Sequence, residues 1–394
     1  MDSDTRALKV VGLFAGVGGF EVGFASAGHR TILLSEIWEP AVAVLRERFP
    51  GVPVHEDVRT LHDLPADTEV LAAGFPCQDL SQAGKTAGIS GSRSSLVDEV
   101  FRLLHRRRVP WVVLENVSFM LQLGRGRAMS YVLDRLEELG YRWAYRVVSS
   151  LAFLPQRRER VFILASTEED PASVLLGEDV TPHIPDTDLD RRAHGFYWTE
   201  GIRGLGWAVD AIPTLKNGST IGIPSPPAIL LPDGKVVKPD IRDAERLQGF
   251  REDWTAPAVS VARPSLRWSL MGNAVTVPVA AWLGRRLACP AGYDRGRDRL
   301  PIFGPPWPPA ARFDGVRRIE VGVGAFPVWH GRPPLHEYLR YPGIPLSRRA
   351  TAGFLSRTAR SSLRFPPGFL ERVRAHLERM SDGEPAAREL VSAK

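Results

Sequence analysis

Phe14-Ala15-Gly16-Val17-Gly18-Gly19 follows an apolar run and opens a helical pattern, and Glu36 stands about 20 residues further on. Glycines permit a tight turn and close backbone approach to a ligand. A carboxylate ending the next strand suits the ribose hydroxyls of a nucleoside cofactor. The turn alone fits nicotinamide, flavin and methyl-transfer cofactors equally, and such turns also occur without any ligand. Gly74-Phe75-Pro76-Cys77-Gln78 comes next. A lone cysteine among apolar residues is ordinarily inert packing. Here a proline precedes it and Gly84, Gly88 and Gly91 space the following loop, which suits a nucleophile facing a cleft under a lid. Glu115-Asn116-Val117 adds a second carboxylate, and Gln156-Arg157-Arg158-Glu159-Arg160 reads either as a charged turn or as cations for an anionic site.

Those residues need a scaffold that delivers them to one edge. Between Leu8 and about Ala165, short apolar runs alternate with amphipathic stretches, the pattern of a doubly wound, Rossmann-like, mostly parallel α/β sheet. The spacing predicts strands at Lys9–Phe14, Thr31–Ser35, Val70–Ala73, Trp111–Leu114, Tyr141–Ser149 and Arg160–Ala165. Helices are expected at Phe20–Ala27, Pro40–Phe49, Leu96–Arg107 and Gly126–Gly140. The glycine turn, Glu36, Cys77 and Glu115 then sit where strands run out, the edge at which open α/β sheets bind ligands, and Gln156–Arg160 precedes the last strand. From Glu168 to about Asp240 turn formers break the periodicity, among them Pro182, Pro185 and Asn217-Gly218, which predicts a small loop-rich domain. Helical pattern returns at Arg242–Gln248 and Val275–Ala288, with Pro278 early in the latter. After Cys289 prolines and aromatics precede two expected helices near Ser347–Arg360 and Gly368–Met380. The expected divisions are 1–167, 168–240, 241–288 as a return to the first unit, and 289–394 as a basic extension.

Composition narrows the classes. The 394 residues are 44% hydrophobic and 24% charged, enough for one large and one or two smaller folded units. No apolar stretch nears the roughly 20 residues of a membrane span, and Asp2 and Asp4 stand where a secretory signal would be positive, so the expected compartment is cytoplasm. Two distant cysteines, Cys77 and Cys289, give neither a disulfide framework nor a zinc site, and the scattered histidines suggest no metal. Residues 289–394 hold 18 Arg or Lys against 10 Asp or Glu, a net +8, while the preceding 288 residues net −2. A basic appendage on a slightly acidic body suits a polyanion, although arginines also simply solvate surfaces.

Taken together and in order, Phe-Ala-Gly-x-Gly-Gly, Gly-Phe-Pro-Cys-Gln, Glu-Asn-Val, Gln-Arg-Arg-Glu-Arg, Arg-Leu-Gln-Gly-Phe (246–250) and Gly-Asn-Ala-Val (272–275) resemble the cytosine-5 DNA methyltransferase family, from about Val10 to Leu287. The resemblance implies a class I methyltransferase sheet, S-adenosylmethionine as cofactor with S-adenosylhomocysteine as product, and double-stranded DNA as substrate, bound by a monomer at the nucleoid. It implies that Phe14, Gly16, Gly18 and Gly19 cradle the methionine part, Glu36 the ribose, and Ile37, Asp57 and Val58 the adenine. Gly74, Pro76, Asn273 and Val275 would complete that pocket. Cys77 would be the nucleophile, Glu115 the grip on the cytosine edge, and Arg158 and Arg160 the cations beside them. Ser81, Lys85 and Arg93 in the lid, and Thr214 in a Thr-Leu element of the recognition segment, would meet DNA.

Thiolate addition at carbon 6 turns an unreactive cytosine into an enamine, which explains the need for cysteine. The base must leave the helix stack to be reached. The lid departs from many relatives in reading Ser92-Arg93-Ser94-Ser95, and the variable stretch Glu168 to about Ile212 is short. The tail lies outside the resemblance. There Arg348, Arg349, Arg357 and Arg360 are expected to contact DNA, the alternative being that Phe354, Leu355, Leu363, Phe365, Phe369 and Leu377 buttress the catalytic domain. Rival readings are a tRNA-methylating relative, a nicotinamide oxidoreductase and a non-catalytic DNA-binding module. Pro-Cys-Gln favours the DNA-acting branch, and neither of the other two uses Cys77 with Glu115. Cognate restriction or defence proteins would accompany such an enzyme.

Overall fold

The computed structural model describes residues 6–76, 96–218 and 226–382. A ten-stranded sheet forms the body. Its first half comprises β1 (Lys9–Leu13), β2 (Arg30–Ser35), β3 (Val54–His55), β4 (Val70–Gly74) and β5 (Trp111–Val117), parallel in the order β3-β2-β1-β4-β5. The core of these strands is continuous Val, Leu and Ala, as a strand covered on both faces requires. On one face pack α3 (Leu96–Arg106) and α4 (Arg127–Glu138), through Leu103, Leu104, Val132 and Leu136. The other face takes α1 (Gly19–Ala25) and α7 (Val277–Ala288), whose backbones approach so closely that a Cβ on Gly23 would lie 2.5 Å from the Ala280 Cβ. Helix α2 (Glu39–Arg48) flanks this layer, with α5 (Ile241–Leu247) and α6 (Arg267–Asn273) beside it.

Beyond β5 the direction alternates. Strand β8 (Glu159–Ser166) lies antiparallel between β5 and β6 (Arg142–Ser149), and β7 (Gln156–Arg157) stands apart as a short parallel partner of β11 (Ile212–Pro213). The tail then continues the sheet with β15 (Ala310–Phe313), β16 (Arg318–Val321) and β14 (Asp298–Pro301). The change of composition at Cys289 is therefore no structural boundary. Ala310, Ala311, Ile319 and Val321 are buried on the edge that β6 would otherwise leave unpaired.

A second sheet runs β10-β9-β12-β13-β17. It takes β9 (His194–Phe196), β10 (Trp207–Val209), β12 (Ala228–Leu230) and β13 (Val236–Lys238) from the segment expected to be loop-rich, and β17 (Ile344–Pro345) from the tail. Helices α8 (Arg348–Thr358) and α9 (Phe369–Asp382) close over it. Phe354 and Phe369 are fully buried, with ring centroids 4.5 and 5.4 Å from Phe196. The tail buttresses both parts: its strands extend the first sheet, while α8 and α9 carry Phe354 and Phe369 onto the second.

Candidate active site

The strand order reverses direction at β1, between β2 and β4, and the crevice at such a switch point is the ligand site of open α/β sheets. Register aligns the strand ends: Leu13 with Ser35, Leu13 with Ala73, Gly74 with Glu115. Phe14, Glu36, Gly74 and Glu115 consequently meet in one cleft of about 710 Å³. Gly16, Val17, Ile37, Trp38, Asp57, Val58, Pro76, Leu96, Arg158, Arg160, Asn217 and Asn273 also line it.

The glycine turn divides its labour. Phe14 and Gly16 have φ of 53° and 56°, and a Cβ on Gly16 would meet nothing within 4 Å, so its face is open for a ligand. Gly18 and Gly19 serve packing: a Cβ on Gly18 would strike the Phe49 ring, and one on Gly19 would lie 2.5 Å from the Val275 carbonyl. These two, with Val275, stand behind the cleft wall rather than in it. Glu36 Oε2 accepts from the Gly16 N–H and Oε1 from the Trp38 N–H, each at 2.8 Å, which leaves lone pairs on both oxygens for a ribose diol. Burial raises its carboxyl above the usual range, against those same hydrogen bonds. Asp57 accepts from the Arg59 N–H and guanidinium, which holds it low and in place. An open glycine face and a braced carboxylate fit S-adenosylmethionine.

On the other side of the cleft, β8 pairs Phe162 with Glu115, so Arg160, two residues earlier, is the diagonal neighbour of Glu115 on the same face. The pair closes at 3.1 Å. Burial raises the Glu115 carboxyl despite the opposing pull of Arg160 and Arg158. Arg158, 1% exposed, donates to the carbonyls of Leu215 and Gly272 at 3.1 Å and of Ala274 at 2.9 Å. Burial, with Arg160 nearby, pushes its guanidinium below the usual arginine range. It is first a clamp joining Leu215 to the end of α6, and only then a cation on the cleft. Asn116 donates to the Phe75 carbonyl at 3.0 Å and anchors the Gly74–Pro76 turn.

Sequence reasoning missed the supporting amides. Gln156 donates to Gln248 at 2.9 Å and to the Leu247 carbonyl at 2.8 Å, and it accepts from the Leu215 N–H at 3.1 Å. Gln248 in turn holds the Met271 and Ala274 carbonyls. Trp38 was also missed, though an aromatic two residues past a strand-end carboxylate was the available signal. Thr214 uses its hydroxyl on the Arg157 carbonyl at 2.8 Å. Arg357 donates to the Trp198 carbonyl, while Arg349 and Arg360 are exposed. Cys77, Ser81, Lys85 and Arg93 lie outside the described residues. A second, more apolar cleft of about 610 Å³, walled by Trp207, Phe326 and Trp329, lies at the junction of the second sheet and the tail. Among the described residues no group of His, Cys, Asp and Glu could hold a metal, and no helix is long and apolar enough to cross a membrane.

Residues 8–196 match the model of the C-5 cytosine-specific DNA methylases. The chain is 45% identical over 370 residues to the Type II methyltransferase M2.BsuMI of Bacillus subtilis (strain 168), covering 90% of this chain and 94% of that protein. It is 26% identical to the Type II methyltransferase M.DsaV of Dactylococcopsis salina, over 72% of this chain and 87% of that one. The crystal structure of the S. pombe Dnmt2 methyltransferase superposes with a TM-score of 0.51 at 17% identity, over 71% of this chain and 98% of that one, a likeness of fold. With that breadth of match on a cleft built around Glu36 and Glu115, the chain belongs to the C-5 cytosine-specific DNA methylase family and is an S-adenosylmethionine-dependent DNA cytosine-5 methyltransferase.

Proposed function

We propose that the enzyme methylates a cytosine turned out of double-stranded DNA, through a covalent adduct on Cys77, as the modification partner in a Type II restriction–modification system. The observation that carries this is the buried Glu115–Arg160 pair, in one cleft with the Glu36 cradle. Burial raises this carboxyl, and in its protonated form it can donate to the ring nitrogen of cytosine while accepting from the amino group. Such a site admits a base only outside the helix stack, at a cost of roughly a few kcal/mol.

Cys77 follows Pro76 in sequence, and Pro76 lines the cleft. In the proposed course the thiolate adds to carbon 6 as Glu115 passes its proton to the ring nitrogen. Bound S-adenosylmethionine supplies the electrophilic methyl for carbon 5. A water or hydroxide then removes the proton from carbon 5, the carbon–sulfur bond breaks, and Glu115 recovers its proton as the thiolate leaves. Arg160 steadies the charge that Glu115 carries while its proton is on the ring nitrogen. Gly16, Glu36, Ile37, Asp57 and Val58 hold the cofactor, and Arg348, Arg349 and Arg360 add phosphate contacts. The Type II assignment rests on the names of the relatives, and action on chromosomal DNA would place the enzyme at the nucleoid in the cytoplasm.

Labelled S-adenosylmethionine offered with DNA or with tRNA tests the substrate, with label expected on DNA alone. Duplex containing 5-fluorocytosine should trap the wild type covalently and should not trap Cys77→Ser. Normal methylation without trapping would remove Cys77 from the mechanism.

A further inference from the structure

The second cleft, of about 610 Å³, lies outside the catalytic chemistry, and its lining is unusual. It joins the body at Arg157, β10 at Trp207, and the tail at Phe326, Trp329, Arg332 and Arg364. Among the described residues that line it, the charged ones are those three arginines, and none is acidic.

Arg332 is a fixed, buried cation. Its side chain is 9% exposed, and its Nη1 donates to Asp210 Oδ2 at 3.3 Å. Asp210 also accepts from the Leu335 N–H at 2.8 Å and pairs with Arg192 at 3.7 Å. Two guanidiniums therefore share one carboxylate, and the Nε of each is buried without a hydrogen-bond partner among the described residues. A buried cation so incompletely answered favours an anion beside it. The apolar walls are fixed as well. The Trp207 indole donates to the Arg364 carbonyl at 2.9 Å and lies against Phe365, with ring centroids 6.5 Å apart. Trp329 meets Phe326 edge to face at 5.7 Å.

A purely apolar ligand would leave the arginines unanswered, and a bare phosphate would leave the aromatic walls uncovered. S-adenosylmethionine, with its sulfonium and ammonium, would be repelled. A planar ring joined to an anion satisfies both surfaces, and for an enzyme that works on DNA the molecule of that kind at hand is the nucleotide.

We propose that this cleft is a second nucleotide site, with the base against the Trp207 and Trp329 wall and the phosphate toward Arg157 and Arg332. Arg157 lines it while Arg158, the next residue, lines the catalytic cleft, so the two sites share the wall built on β7. The same chemistry has two sources, a free nucleotide and an unpaired nucleotide of a DNA strand. The site does not depend on the Cys77 adduct.

The test is calorimetry on full-length enzyme saturated with S-adenosylhomocysteine, which closes the cofactor pocket to the probe. The probe is dGMP, guanine being no substrate for a cytosine methyltransferase, and 2′-deoxyguanosine is its phosphate-free control. The wild type should bind dGMP saturably at one site and deoxyguanosine at least ~10-fold more weakly. Arg157→Gln and Trp329→Leu should each weaken dGMP by about 3- to 10-fold, and the exposed Arg157 can be changed without moving the melting temperature. Duplexes lacking a target site then identify the source. Tighter binding of a duplex with one unpaired guanine nucleotide than of a flush duplex, a preference lost in Arg157→Gln, points to strand nucleotides. Equal binding of the two duplexes, with dGMP still bound, points to the free nucleotide. No saturable binding of dGMP, equal affinity for deoxyguanosine, or an affinity untouched in both variants would overturn the site.

Discussion

In the proposed course Glu115 gives a proton to the cytosine ring; burial raises its carboxyl in that direction, while Arg160 pulls the other way. Glu115→Gln keeps shape and donor but cannot cycle the proton. Turnover on DNA should fall by about 10² to 10⁴, with DNA affinity barely changed. Equal losses in both would make Glu115 a structural carboxylate. A second buried acid answers to stability instead. Glu21, in the first turn of α1, is wedged against Gly12 of β1, with one oxygen lacking any hydrogen-bond partner among the described residues. Burial lifts its carboxyl from 4.5 to about 7. The unfolded chain therefore ionises first as pH rises. The stability present below pH 4.5 is lost progressively up to about pH 7 and then levels off, a change of order 3 kcal/mol. Denaturant titrations from pH 4.5 to 8 should show this decline in wild type and a decline smaller by about that amount in Glu21→Gln, which should be the more stable protein at pH 8.

At the scale of elements, the cleft depends on how closely the α1 turn meets the segment between α6 and α7. Gly19→Ala forces its new methyl against the Val275 carbonyl and should push that segment outward. Calorimetry should find cofactor affinity reduced at least several-fold and the melting temperature lowered, with a variant of unchanged affinity ruling out this coupling. The parallel half of the sheet was legible because buried strands are long apolar runs and their helices repeat every 3.6 residues. Lys9–Leu13, Trp111–Val117 and Leu96–Arg106 all fall within a few residues of expectation. The recognition strands were not legible. Three-residue pieces such as His194–Phe196 carry no period, and their burial is set by Phe354 and Phe369, more than 150 residues later. In the site, residue types at strand ends announced Glu36 and Glu115. The packing role of Gly18 and Gly19 and the clamp made by Arg158 were hidden, because both depend on partners brought in by tertiary contact.

For the whole molecule, the tail is both structural and basic, and the two contributions separate experimentally. Phe354→Ala should cost about 3–5 kcal/mol in unfolding free energy, read from a denaturant midpoint, because it empties the space against Phe196. Changing Arg349 and Arg360 together to Gln should leave that midpoint alone and reduce the salt slope of DNA binding by about 0.9 for each phosphate no longer neutralised. An unchanged slope in a folded variant would confine the tail to its buttressing role. The second sheet itself is drawn from two stretches of chain, with Ile344–Pro345 closing an edge begun by Val236–Lys238. With this sheet as the proposed target-recognition unit, that shared construction limits how such an enzyme can acquire a new target. A single genetic exchange spanning residues 168–240 would graft a foreign set of strands onto α8 and α9 helices shaped for the old ones. Viable chimaeras should therefore be those that inherit both stretches from one parent, so that target preference and the far end of the gene travel together through recombination.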